Sequence, residues 1–294
     1  MLWTNLSRPG IAEALEQQGF HVGVGVVAQL LKRHRLGRRK ARKTLPLGRH
    51  ADRDRQFQTI AAHREAFLRS GDPVVSMDTK REEFLGLLFR QGRLYAQKAK
   101  KALDHDFPSA ARGVVYPHGF YDVKRNLGHL NLGTSHDTSR FACDSLGAWW
   151  EKQGRAAYPE ARRMLLLCDG GGSNASNRYV FKHHLERLAC RPGLEIRVAH
   201  YPPYCSKYNP IEHLFFPHVT RACQGLLLTS LEVTCKAMAR ASTRQGLRTT
   251  VEVLAGDYPL KEGYPEDYPE SMKIRFDEVF PGWNYRAMPA ECDS

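Results

Sequence analysis

Two aspartates each follow a mostly apolar run of the kind that forms a buried strand. Asp78 comes directly after Val74–Met77, and Asp169 comes directly after Met164–Cys168. A strand that ends in a carboxylate holds that group on a rigid element, and burial makes the charge costly unless a cation or strong donors meet it. Each aspartate alone is better explained as the start of a tight turn or as a helix cap.

A third acid, Glu212, changes this balance in favour of metal binding. It lies on the first turn of a predicted helix that begins near Pro210, where a negative charge suits the helix dipole. Mg²⁺ prefers oxygen ligands, and three carboxylates can hold two divalent ions about 4 Å apart. One ion then activates a water or a 3′-hydroxyl, and the other stabilises the leaving oxygen. The three acids together therefore predict metal-dependent chemistry at a phosphate ester.

The charge balance of the chain favours a polyanionic partner. The 294 residues include 44 Lys or Arg and 31 Asp or Glu, which gives a net charge of +13 and an isoelectric point near 9.5. Nucleic acid and an anionic membrane surface both fit such a surplus. The absence of an apolar run of about 18 residues and of a signal-peptide segment argues against the membrane. Seven scattered cysteines without a Cys-x-x-Cys pair predict reduced thiols in an intracellular protein, not a zinc finger.

The positive charge is concentrated near the N-terminus. Residues 7–36 predict two short helices, with Ser7 as the N-cap of the first and Gly19 as its stop. Nine Lys or Arg and no acid lie between Lys32 and Arg49. Two helices with a basic extension are the outline of a helix-turn-helix, and an ordinary helical hairpin with a solvated linker remains the alternative. The residues predicted to contact DNA are Lys32, Arg33, Arg35, Arg38, Arg39, Lys40, Arg42 and Lys43.

The remainder of the chain predicts an α/β domain. Strands are predicted over 73–78, 113–122, 129–133, 164–168 and 194–200. Helices are predicted over 56–70, 139–153, 177–190 and 210–224. Consecutive strands followed by alternating strands and helices favour a sheet with helices layered on it.

Seven short motifs carry a family resemblance over nearly the whole chain. They are Val75–Lys80, Tyr121–Val123, Gly133–Thr138, Trp149–Trp150, Asp169–Asn174, Asn209–His213 and Gly282–Tyr285. Together they resemble the DDE transposases of bacterial insertion sequences, specifically the Rhodopirellula-type family, which is distantly mariner-like. The resemblance implies an RNase H-like catalytic domain with a central mixed five-stranded sheet flanked by helices, preceded by a partial helix-turn-helix.

The resemblance also implies a mechanism and its participants. The family's catalytic and metal-binding triad falls on Asp78, Asp169 and Glu212, with Mg²⁺ or Mn²⁺ as the cofactor, in two ions. Cleavage would expose a 3′-hydroxyl at the element end, and that hydroxyl would attack target DNA. The implied partners are the terminal inverted repeats, target DNA and further copies of the chain in a homodimer or larger assembly. The expected location is the cytoplasm, at the bacterial nucleoid.

The expected domain division has four parts. A partial helix-turn-helix over 1–36 is followed by a basic linker and helix over 37–70. The catalytic domain covers 71–255, and an acidic tail over 256–294 packs on it or extends it. Relatives begin with more sequence before this region, so we expect the chain to start inside its DNA-binding part. Two alternatives stay open: an RNase H-like nuclease without strand transfer, and an inactive, truncated DNA-binding remnant.

Several other polar residues have competing interpretations. His213 and His218, which flank the predicted Glu212 helix, are better explained as polar surface or as support for metal ligands than as ligands themselves. Asp122 and Asp137 are candidates for extra metal-site acids, and Asp137 equally suits a cap of the helix that begins near Thr138.

Two further pairs of residues carry weaker predictions. Lys80 and Lys207 lie beside triad members and suit either phosphate contact or simple solvation. The pair Trp149–Trp150 is predicted to pack in the core instead of stacking on bases.

Overall fold

A computed structural model of the chain describes residues 4–39, 52–105 and 107–289. The chain divides into two units, Met1–Leu47 and Gly48–Ser294. None of the described helices is long and apolar enough to cross a membrane. No disulfide joins the cysteines within the described ranges. Of the predicted DNA contacts, Lys40, Arg42 and Lys43 lie outside the described residues.

The first unit contains the two helices that the sequence predicts. They are α1 (Arg8–Glu16) and α2 (Val24–Arg33), and they contact each other. The hydroxyl of Ser7 accepts the backbone N–H of Gly10 at 3.2 Å, so Ser7 is the N-cap of α1 as predicted. After α1 the chain turns through Gly19, whose φ of 86° favours glycine.

The second unit is built on nine strands, in the part of the chain that the structure describes. They are β1 (Val74–Thr79), β2 (Glu83–Leu85), β3 (Gly113–Asp122), β4 (Leu127–Gly133), β5 (Arg163–Cys168), β6 (Glu195–His200), β7 (Arg248–Val253), β8 (Ile274–Phe276) and β9 (Asn284–Ala287). Its helices are α3 (Arg53–Ser70), α4 (Ser139–Trp149), α5 (Arg155–Ala157), α6 (Tyr179–Cys190), α7 (Pro210–Leu214), α8 (Phe216–Ala222), α9 (Leu231–Met238) and α10 (Tyr268–Ser271). A π-helical turn, Trp150–Gly154, joins α4 to α5.

The centre of the sheet has the strand order β4-β3-β1-β5-β6. Strands β1, β3 and β4 form an antiparallel meander, and β5 and β6 continue parallel to β1. This order with these directions is that of the RNase H-like fold, so the predicted mixed five-stranded core is confirmed. The sheet extends beyond it: β7 pairs parallel with β4, β9 and β8 add to β6, and β2 pairs with β3.

Helices cover both faces of this sheet because its central strands are apolar on both sides. On one face, α4 and α6 pack on alternate residues of β1 and β5, together with Trp149 and Trp150. Both tryptophans are buried, which confirms their predicted role in the core. On the other face, α3 packs over β1 and β5, and α7 to α9 pack over β3 and β4. The carboxyl ends of β1 and β5 remain open between these layers.

The structure departs from the predicted elements in two ways. The single helix predicted over 210–224 is two helices, α7 and α8, which meet at Phe215. Pro217 lies in the first turn of α8, where its missing N–H is harmless, whereas in the middle of a longer helix it would remove a hydrogen bond. Strands β2, β7, β8 and β9 were not predicted, because β2, β8 and β9 have only three or four residues and β7 is mostly polar.

Candidate active site

The first two acids lie side by side at one edge of the sheet. Asp78 is the fifth residue of β1, and Asp169 directly follows the last residue of β5. These strands are parallel with Met77 opposite Cys168, so the next residue of each, Asp78 and Asp169, emerges at the same edge. The sequence pattern of apolar run and terminal acid thus places two carboxylates together.

The third acid reaches this edge from α7. Ser76 of β1 donates its hydroxyl to Asn209 Oδ1 and accepts the backbone N–H of Ile211 at 2.9 Å. The side-chain amide of Asn209 also donates to the carbonyl of Met77 at 3.2 Å. These buried bonds fix the first turn of α7 against β1, and Glu212 follows on that turn.

The three acids repel one another electrostatically. Burial, together with the charges of Asp169 and Glu212, raises the pKa of Asp78 to about 9. The Asp78 carboxyl is hydrogen-bonded to Glu212, which favours its protonated form. Burial also raises the pKa of Asp169, with the charges of Glu212 and Asp137 adding to it and the N–H of Gly171 opposing it. The structure therefore brings together the acids that the sequence singles out.

Burial and mutual repulsion favour the protonated form of Asp78 among these carboxylates. Among the described residues, no group of three or more His, Cys, Asp or Glu side chains is arranged so that it could hold a metal ion as it stands. The donor set itself fits a hard divalent cation, because it is made of carboxylate oxygens whose mutual repulsion a cation would relieve.

Asp169 is held through its main chain by a buried histidine. His200, at the end of β6, has its Nδ1 2.7 Å from the carbonyl oxygen of Asp169 and its Nε2 2.9 Å from the hydroxyl of Tyr285. Burial lowers the pKa of His200 to about 4, so the ring is neutral. Nδ1–H therefore donates to Asp169, and Nε2 accepts from Tyr285. This role of Tyr285 explains part of the motif Gly282–Tyr285.

The neighbouring Asn284 secures the same strand. Its amide is hydrogen-bonded in both directions to the amide of Gln56 in α3, at 2.8 and 3.0 Å. Gln56 also donates to the carbonyl of His200 at 2.9 Å. Both amides are fully buried, so the pair ties α3, β6 and β9 together beneath the acid cluster.

A cavity of about 220 Å³ opens beside the acids. Its lining includes Asp78, Asp169, Asp137 and the Gly171–Asn174 turn, in which Gly172 has φ 69°. A larger groove of about 710 Å³ lies between α3 and the loop that contains Tyr201 and Tyr208. Its lining is mostly apolar, so we take the smaller cavity, which Asp78 and Asp169 line without Glu212, as the candidate site.

Asp137 belongs to this cavity and is not a helix cap. The N-cap of α4 is Thr138, whose hydroxyl accepts the N–H of Phe141 at 3.2 Å. Asp137 instead accepts a hydrogen bond from the hydroxyl of Thr79 at 3.0 Å. Sequence reasoning left this residue undecided between cap and extra acid, since only the fold brings it next to Thr79.

Asp122 does not belong to the cavity. It lies at the far end of β3, where it accepts hydrogen bonds from the Tyr158 hydroxyl and from the N–H groups of Lys124 and Arg125. Its carboxylate closes the β3–β4 turn, so its role is structural.

The remaining residues weighed from the sequence lie outside the cavity lining, with one exception. His213 is exposed and His218 is half-buried, and neither lines the cavity. Lys80 does line it, but its ammonium is paired with Glu83. Lys207 lies over the ring of Tyr208 at 5.1 Å.

Comparison with known proteins identifies one family. A family model described as the Rhodopirellula transposase DDE domain matches residues 1–289. No curated protein sequence matches the chain.

Solved structures of Mos1 transposase show partial similarity. The Mos1 paired-end complex with the left transposon end has 17% identity and a TM-score of 0.47, over 79% of this chain and 65% of that chain. A pre-cleavage Mos1 transpososome has 14% identity and a TM-score of 0.47, over 80% and 71%. The Mos1 strand transfer complex has 17% identity and a TM-score of 0.46, over 79% and 64%. The match spans less than two thirds of the first of these Mos1 chains.

Proposed function

Because the chain belongs to the Rhodopirellula transposase DDE family, we propose that it cleaves DNA at the ends of an insertion sequence and joins them to target DNA. The proposed catalytic and metal-binding residues are Asp78, Asp169 and Glu212. The observation that carries this proposal is the convergence of these acids at one sheet edge, where burial and then the charges of neighbouring acids raise the pKa of Asp78 and of Asp169. A purely structural role would pair the carboxylates with cations or donors instead of with one another.

The proposed cofactor is Mg²⁺ or Mn²⁺, in two ions. Bound there, such ions supply activation of the attacking oxygen and stabilisation of the leaving oxygen. The residues of the chain supply the rest. Asp78, in its deprotonated form, and Glu212 would be carboxylate ligands, while His200 keeps the Asp169 turn in place through its carbonyl.

The glycine-rich turn after Asp169 suits the approach of a DNA strand. Gly170 and Gly171 carry no side chain, and a Cβ built on either would meet no atom closer than 3.7 Å. A phosphate can therefore come close to the backbone and to the acids. Lys80 and Arg81, which line the same cavity, would attract that phosphate.

The first unit is proposed to bind DNA through its basic residues. Of the predicted contacts, five are described and all five are exposed: Lys32, Arg33, Arg35, Arg38 and Arg39. Because these side chains are exposed, their charges are accessible to phosphates. Binding through them would be largely independent of sequence and would weaken with salt. The proposed place of action is accordingly the bacterial nucleoid, and the proposed partners on DNA are further copies of the chain.

Cleavage of labelled oligonucleotides that carry the element's terminal inverted repeats tests this function. With Mg²⁺, the wild-type chain should nick them and join the 3′-hydroxyl product to a target duplex. Asp78→Ala and Asp169→Ala should abolish both steps while DNA binding persists. Asp104→Asn, which removes an exposed acid outside the cavity lining, should leave both steps intact.

The alternatives give different products in the same assay. Cleavage without a joined product, even from a pre-cut 3′-hydroxyl substrate, would favour a nuclease that lacks strand transfer. DNA binding without any cleavage by the wild-type chain would favour an inactive remnant. Cleavage that survives both Asp78→Ala and Asp169→Ala would show that the catalytic residues are assigned wrongly.

A further inference from the structure

Thr79 joins two carboxylates at the candidate site. Its backbone N–H donates to Asp78 Oδ1 at 2.8 Å, and its hydroxyl donates to Asp137 Oδ1 at 3.0 Å. Asp137 is 22% exposed at its side chain and lines the same cavity of about 220 Å³ as Asp78 and Asp169. One residue at the end of β1 thus fixes the spacing between a proposed metal ligand and a further acid.

The direction of the hydrogen bonds fixes Asp137 as the final acceptor. The Thr79 hydroxyl has one proton, and that proton is directed to Asp137. The contact of 2.7 Å between Thr79 Oγ1 and Nδ1 of His118 therefore requires Nδ1–H as the donor. His118 is fully buried and lies opposite Thr79 in the β1–β3 register, so it cannot turn away. The chain from His118 through Thr79 ends on a carboxylate oxygen of Asp137.

This arrangement holds the charge of Asp137 close to the charges of the neighbouring carboxylates. The charge of Asp137 is one of the causes that raise the pKa of Asp169. The basic residues on the cavity are Lys80, which is paired with Glu83, and Arg81, which is exposed. Asp137 Oδ2 accepts no hydrogen bond from the described part of the chain, so one of its oxygens remains for a ligand. A divalent cation beside Asp78 and Asp169 would meet this charge.

From this geometry we propose that Asp137 is a fourth carboxylate of the divalent-cation site, with Thr79 and His118 as its positioning residues. The inference rests on the proposed function, because it requires a cation at Asp78 and Asp169. It goes beyond the three acids of the family triad. Thr79 couples the two ligands, because its backbone N–H holds Asp78 and its hydroxyl holds Asp137.

Mn²⁺ binding to the purified full-length chain, measured by titration calorimetry or electron paramagnetic resonance, tests the proposal without a catalytic readout. Asp137→Asn should weaken binding by about tenfold to a hundredfold, the range for residues that support a metal site. Glu82→Gln is the matched control, because it removes the same charge from the same cavity. It should weaken binding by no more than about threefold, through the loss of charge alone.

Two substitutions at Thr79 distinguish the effect of losing its hydroxyl from the effect of losing the fold. Thr79→Val keeps the shape and removes the donor, so it should weaken Mn²⁺ binding by about tenfold. Thr79→Ser keeps the donor and should bind Mn²⁺ as the wild-type chain does. If Thr79→Val fails to fold, as judged by its melting transition, Asp137→Asn against Glu82→Gln still decides the question.

The outcomes distinguish this inference from the proposed function. Equal Mn²⁺ affinities for Asp137→Asn and Glu82→Gln would overturn the assignment of Asp137. If in addition Asp78→Asn abolished binding, the three-acid site would stand without it. A wild-type chain that binds no Mn²⁺, or an Asp78→Asn variant that binds it unchanged, would instead overturn the proposed metal centre itself.

Discussion

Divalent-cation binding to the acid cluster should release a proton near neutral pH. With a pKa of about 9, roughly 97% of the Asp78 carboxyls carry a proton at about pH 7.5. Coordination requires the carboxylate form, so each binding event releases about one proton from Asp78. For the same reason the apparent affinity should rise by about tenfold for each pH unit up to about pH 9.

Calorimetry can count this proton directly. Mn²⁺ is titrated into the metal-free chain in two buffers with different ionisation enthalpies, and the difference in apparent enthalpy gives the number of protons released. Asp78→Asn should bind Mn²⁺ at least about tenfold more weakly and release no proton from this position. Asp104→Asn should match the wild-type chain in both quantities. Tight Mn²⁺ binding by the wild-type chain without proton release would refute the idea that a cation displaces the proton held by Asp78.

Three further predictions concern stability, DNA binding and the support of Asp169. The folded-state pKa of Asp78, about 9, lies above its ordinary value of 3.8. Between these two pH values the metal-free chain therefore loses stability as the pH rises, by on the order of 1 kcal/mol per pH unit. Asp78→Asn should therefore raise Tm at about pH 7.5 and leave it unchanged near pH 3.5; an equal change at both pH values would contradict this. A triple alanine variant of the basic stretch should bind every DNA sequence more weakly and flatten the salt dependence by about three units at most, whereas an unchanged slope would exclude the stretch from the interface. Its substitutions are at Arg38, Arg39 and Lys40. Tyr285→Phe, which removes the hydroxyl bound to His200, should lower the cleavage rate by about tenfold with DNA affinity unchanged, and Tyr264→Phe should have no effect; equal rates for the two variants would leave Tyr285 without a positioning role.

The positions of the three acids could be predicted because local patterns determine them. Asp78 and Asp169 end apolar runs, and such runs become buried parallel strands whose carboxyl ends share an edge. Glu212 follows a proline that suits the first turn of a helix. The two strands and the helix turn are each encoded within a few residues, so periodicity and composition are sufficient to find them.

The contacts that hold the acids could not be predicted in this way. Thr79 and Asp137 are 58 residues apart, and His200 and Tyr285 are 85 residues apart. Hydrogen bonds over such separations depend on strand order and register, which single-sequence patterns do not determine. The break between α7 and α8 at Phe215 could have been predicted, because Pro217 in the sequence disfavours one continuous helix there.

The amide pair of Gln56 and Asn284 has a consequence for the order in which the unit is completed during synthesis. The two residues are 228 positions apart, so a ribosome makes α3 long before it makes the strand that holds it. Tyr285, which supports the Asp169 turn through His200, is made at the same late moment. A nascent chain therefore has all three acids but lacks the last strand that fastens them. The cluster is fastened only after residue 285 has been made, so chains that terminate before it would carry the acids without a fixed site.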